Sequence, residues 1–95
     1  MYILTGNKKE IIDSRFVERF CLVEKPDAYI IIASYSTEHM VTIGKYGNQA
    51  EADEVLDKLY YALAYEDEKF EMPISSLFYG ERAVKDARTK RKGGS

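Results

Sequence analysis

Ninety-five residues are enough for one small domain and leave no room for a second. Hydrophobic residues at 45% and charged residues at 32% exclude a disordered chain, and no apolar run approaches the ~20 residues needed to span a bilayer. The net charge of −2 hides a division: residues 1–81 carry 8 basic and 15 acidic groups, a balance of −7, while residues 82–95 carry six basic groups and one acid, Asp86, a balance of +5.

Tyr2-Ile3-Leu4-Thr5 and Glu10-Ile11-Ile12-Asp13 read as short strands around a Gly6-Asn7-Lys8-Lys9 turn, since Gly and Asn tolerate positive φ. From Phe16 to Glu24 the alternation is imperfect: Phe16, Phe20 and Leu22 share one face, Val17, Arg19, Cys21 and Val23 the other, and Glu18 falls among the phenylalanines. A strand with an irregular start or a bulge fits this pattern. Lys25-Pro26-Asp27 is a turn. Ala28 to Tyr35, with its β-branched run, reads as a central strand buried on both faces at its middle. Ser36 to His39 turns the chain into a strand over Met40–Tyr46, with Val41 and Ile43 on one face and Thr42 and Gly44 on the other.

Asn48 is a good helix N-cap, and Glu51 stands three residues on, where a capping-box acid belongs. The helix is expected over Gln49–Tyr65, with Ala52, Val55, Leu56, Leu59 and Leu63 as its buried stripe. Glu66-Asp67-Glu68 places acids at the negative end of the helix dipole, which predicts fraying there. Lys69-Phe70-Glu71-Met72, stopped by Pro73, reads as a short edge strand. Ile74 to Tyr79 is apolar, residues 81–90 suit a short helix, and Gly93-Gly94-Ser95 is a flexible end.

These elements predict an α+β fold: a twisted, mostly antiparallel sheet of about five strands with one amphipathic helix packed on it, plus a C-terminal basic segment, partly helical. Residues 1–80 form the domain and 81–95 the basic tail. A single cysteine excludes an internal disulfide framework, and the N-terminus has no basic stretch ahead of an apolar one, as a secretion signal would. The expected location is the cytoplasm.

Catalytic and metal motifs are missing from the sequence. His39, the one histidine, stands in a turn with no second His, no Cys pair and no HExxH, which reads as a solvated turn residue. Cys21 reads as a small buried hydrophobe; Arg19, on the same strand face, is the local cation that a reactive thiol would need. No cofactor and no enzymatic activity is expected. Helix N-terminal placement explains the acids Glu51, Asp53, Glu54 and Asp57, yet an acidic face can also occupy a basic nucleic-acid groove on another protein.

The chain has eight tyrosines and no tryptophan, and Tyr61 and Tyr65 are the more specific clue. Residue 61 falls nearly opposite the leucine stripe and residue 65 beside it at i+4, an arrangement core packing against a sheet does not require. Either segment 74–90 folds over them, with Leu77, Phe78 and Tyr79 as covers, or they form a self-association or partner surface, which allows a homodimer. In the tail, Arg82, Lys85, Arg88, Lys90, Arg91 and Lys92 can contact nucleic-acid phosphates without sequence preference, or stay solvated.

The run Ala28–Tyr35, then Ile43-Gly44-Lys45-Tyr46, the helix carrying Glu51, Ala52, Val55 and Leu56, and Phe70-Glu71-Met72-Pro73 resemble a group of small proteins encoded by low-GC Gram-positive bacteria and by their phages and prophages. The resemblance covers residues 28–73 and carries no assigned chemistry; members end soon after the Met-Pro equivalent, which the extension 74–95 does not. It implies a phage or mobile-element accessory protein that binds a host protein, such as a CRISPR nuclease, and blocks it sterically. Glu51, Glu54, Asp57, Tyr61 and Tyr65 are the residues expected to make that contact. The alternative is a small nucleic-acid-associated protein that binds through its basic tail.

Overall fold

A computed structural model describes residues 1–74. The order is β1 (Tyr2–Leu4), β2 (Ile11–Asp13), a 3-10 turn (Ser14–Phe16), β3 (Arg19–Lys25), β4 (Ala28–Ser34), β5 (Met40–Tyr46), α1 (Gln49–Ala64) and β6 (Lys69–Glu71). The α+β class, the mostly antiparallel pairing and the one helix among the described residues agree with the sequence. The strands are shared between two three-stranded sheets, β2-β1-β6 and β3-β4-β5, and β1 pairs with β6 in parallel. The stretch read as helical over 81–90, the covers Leu77, Phe78 and Tyr79, and the basic residues from Arg82 to Lys92 lie outside the described residues.

In the first sheet Ile3 faces Ile12 on one side and Phe70 on the other, so all three point to the same face. That face joins Ile31, Ala33, Ile43, Tyr46, Leu59 and Met72 in one core. Gly6 N–H donates to Ile43 C=O at 2.7 Å and ties the two sheets together. At Lys8, φ is 64°, and its ammonium donates to the Met72 carbonyl at 2.7 Å and pairs with Glu71 at 2.9 Å.

In the second sheet β3 and β4 are joined by Pro26-Asp27, with Lys25 facing Ala28. Neither turn residue has positive φ, which excludes the primed turns and leaves Pro26 in its ordinary place at the first corner of a type I turn. At the other end Glu18 N–H donates to Ser34 C=O at 2.7 Å although Arg19 is the residue facing Ser34, so the irregular start of this strand is a bulge. Phe16 lies in the 3-10 turn before it, exposed, with the Arg15 guanidinium 5.7 Å from its ring centroid.

The sequence placed Gly44 on the face opposite Val41; the structure puts the two on the same face. Ala33 faces Val41 and Ile31 faces Gly44, so Ile43 is an extra residue and the register shifts around it. Gly44 is required for space: a Cβ there would meet the Tyr46 ring at 2.7 Å and Met72 Cε at 3.0 Å. The Tyr46 ring is fully buried, its hydroxyl donates to the Pro73 carbonyl at 3.1 Å, and burial pushes its pKa well above the usual tyrosine value.

Helix α1 packs across β3, β4 and β5. Asn48 caps it as expected, its side chain accepting from Glu51 N–H at 2.8 Å. The Glu51 carboxylate accepts in return from Gly47 N–H at 3.4 Å, one residue earlier than a capping box demands. The C-terminus ends in a Schellman motif where the sequence predicts fraying. Glu66, at φ 58°, donates to Leu63 C=O at 3.1 Å, and Asp67 donates to Ala62 C=O at 3.0 Å. No helix among the described residues is long and apolar enough to cross a membrane.

Candidate protein-binding surface

The inward stripe of α1 is Ala52, Val55, Leu59 and Ala62, all buried. Leu56 and Leu63, counted in the stripe from spacing, are half-buried and form its flank. At 100° per residue that rotation carries Tyr60 to the edge of the flank and turns Tyr61 and Tyr65 outward. Tyr60 is 63%, Tyr61 50% and Tyr65 76% exposed.

Tyr61 links the other two rings. Tyr60 meets Tyr61 edge to face with centroids 5.3 Å apart, and Tyr61 stacks on Tyr65 at 6.3 Å. None of their hydroxyls has an intramolecular hydrogen bond among the described residues. A mutually supported row of rings loses less side-chain freedom on docking than three independent ones, and its hydroxyls are available to a partner.

Acids surround this row. Asp53, Glu54 and Asp57 are exposed on α1, with Lys58 the one basic residue of the helix, 3.2 Å from Glu54. At 100° per residue Glu54 and Asp57 fall on the outward face with Tyr61 and Tyr65. Glu51 is on another side of the helix and half-buried, its carboxylate turned to the N-cap. Reasoning from sequence missed Tyr60. Its signal is the crowding of three tyrosines into six residues, together with the 100° step from Leu59.

A groove of about 440 Å³ runs along the flank of α1, lined by Phe20 of β3 and by Asp53, Leu56, Asp57, Leu59, Tyr60 and Leu63. Tyr60 belongs both to this groove and to the tyrosine row, so the two surfaces are continuous. A second depression, of about 680 Å³, lies against the first sheet beside Tyr2, Leu4, Ile11 and Phe70, with Lys69 and Glu71 at its border. Its charges balance, and nothing about it selects a ligand.

His39 is exposed in the turn between β4 and β5, its Nδ1 3.2 Å from Ser36 Oγ, which also accepts from the backbone N–H of Glu38 and His39. Cys21 is half-buried on β3. Among the described residues no group of three or more His, Cys, Asp or Glu side chains is placed to hold a metal ion. Asp13 accepts from both the backbone N–H and the guanidinium of Arg15, which holds its carboxyl at about 2, well below the usual range; this pair stiffens the 3-10 turn.

No protein-family model matches the chain, and neither a curated protein nor a solved structure is similar to it.

Proposed function

We propose that this chain is a non-enzymatic protein-binding module, and that the outward face of α1 is its contact surface. The observation that carries this reading is the exposed row Tyr60-Tyr61-Tyr65 with Glu54 and Asp57 beside it. Tyrosine is enriched where interfaces concentrate their binding energy, and three exposed rings on one helix have no role in the core they face away from. The acids set the partner's charge: they suit a basic groove, where they accelerate encounter and disfavour wrong partners. The resemblance to phage and prophage proteins supports a host protein as that partner. A nuclease whose groove binds nucleic acid, such as a CRISPR nuclease, has the required charge, and occupation of the groove inhibits it sterically.

Charge reversal tests this reading. Glu54→Lys with Asp57→Lys is expected to slow association with a host protein captured by the full chain from nuclease-treated lysate, by about tenfold at low salt, and to flatten its salt dependence. Tyr61→Ala with Tyr65→Ala is expected to speed dissociation, at a cost of about 2 kcal/mol or more. Circular dichroism establishes that both variants are folded. Binding kinetics unchanged in both variants contradict the assignment of this face.

A further inference from the structure

β3 is an edge strand seven residues long, and no strand among the described residues pairs with its outer side. In the β3–β4 hairpin the two-residue turn makes Lys25 and Ala28 a hydrogen-bonded pair, so alternation assigns the bonded positions to Val23, Cys21 and Arg19. Phe20, Leu22 and Glu24 therefore turn their N–H and C=O groups away from β4. Among the described residues these groups have no hydrogen-bond partner.

The other edges differ. β2 and β6 are three residues long, and β5 is broken by the Ile43 bulge, whose carbonyl is taken by Gly6. Edge strands are ordinarily protected by charge, proline or a bulge, but the centre of β3, Phe20-Cys21-Leu22-Val23, has none of these.

The residues with outward amides also point their side chains toward α1, because Phe20 faces Ala33 and Leu22 faces Ile31 of the core. A strand added to this edge would place alternate side chains in the groove beside Phe20, Leu56, Leu59, Tyr60 and Leu63. Asp53 and Asp57 line that groove, and no basic residue among the described residues does.

We propose that the open edge of β3, with the groove between it and α1, takes up an extended segment of a partner protein as a fourth strand, selecting segments whose groove-side residues are apolar with a lysine or arginine among them. Main-chain hydrogen bonds to Phe20, Leu22 and Glu24 supply the docking, apolar side chains fill the groove, and the cation reaches Asp53 and Asp57 along its aliphatic stem. The site rests on the reading of the chain as a protein-binding module and adjoins the surface proposed there: Asp57 and Tyr60 border both, whereas Tyr61 and Tyr65 do not line the groove.

The test uses a fluorescent heptapeptide, Thr-Val-Thr-Lys-Thr-Val-Thr with blocked ends, whose Val, Lys and Val side chains share one face when extended. Anisotropy is read against the full chain. Two further peptides carry backbone N-methyl groups, one on the valines and the lysine, the other on the threonines. Strand addition predicts that one methylated set abolishes binding and the other leaves it intact, because only alternate N–H groups of an added strand face β3. Asp53→Lys with Asp57→Lys is expected to weaken binding at least tenfold, whereas Tyr61→Ala with Tyr65→Ala leaves it unchanged. Loss of the captured host protein in the tyrosine variant with retention of the peptide separates the two surfaces. No binding, equal sensitivity to both methylated sets, or a peptide that binds only by competing with a β3-to-β3 dimer seen in sedimentation would overturn the proposal.

Discussion

Glu66 stands where a helix of this kind ordinarily carries glycine. Its φ of 58° is left-handed, and it is the residue from which the Schellman motif returns to Leu63 and Ala62. For a residue with a Cβ that conformation costs about 1–2 kcal/mol. Glycine removes that cost but gives back about 0.5–1 kcal/mol through the greater freedom of the unfolded chain. The carboxylate also lies at the negative end of the α1 dipole, an unfavourable contact of about 0.3–1 kcal/mol at low ionic strength. Glu66→Gly is therefore expected to stabilise the fold by about 1 kcal/mol, which for a domain of this size raises Tm by about 4–8 °C. Glu66→Gln keeps the backbone problem and removes only the charge, so it should recover less than half of that gain, and the gain should disappear in high salt. Thermal and urea denaturation followed at 222 nm measure both. A Glu66→Gly protein no more stable than Glu66→Gln would refute the left-handed cap as the source of the strain.

Two further predictions concern the junction of the sheets. Gly44→Ala pushes a methyl group into the Tyr46 ring and Met72, and is expected to destabilise the fold by about 1–3 kcal/mol in urea titration. The buried Tyr46 hydroxyl ionises less readily than a tyrosine of the unfolded chain, so its contribution is complete below pH 10 and is lost as pH rises beyond it. Tyr46→Phe should cost about 1 kcal/mol at neutral pH by removing the bond to Pro73, and should make the alkaline decline of stability shallower, by up to about 1.4 kcal/mol per pH unit.

What was legible in the sequence was local. The β-branched run of β4, the Pro26-Asp27 turn and the Asn48 cap each declare themselves within a few residues, and the structure contains all three. The division into two sheets was not legible, because β1, β2 and β6 are three residues long and β1 finds its parallel partner more than sixty residues away. Spacing alone could not show the bulge at Ile43, which moves Gly44 to the face of Val41. The candidate surface was half legible: Glu54, Asp57, Tyr61 and Tyr65 share a face by helical arithmetic, but the rotation that exposes Tyr60 and opens the groove depends on how α1 lies against β3. Strand order decides which strand is an edge, and no local pattern records it.

Whether the outward face of α1 binds a host protein, as proposed, is decided by capture from nuclease-treated host lysate. Three baits are compared: the full chain, a chain ending at Gly80, and a full chain with Tyr61→Ala and Tyr65→Ala. One protein is expected to be captured equally by the first two baits and lost from the third, and to be re-bound by the first two when purified. Capture that needs residues 81–95 and is abolished by nuclease, with the tyrosine variant behaving as the parent, would contradict it and assign binding to the basic tail.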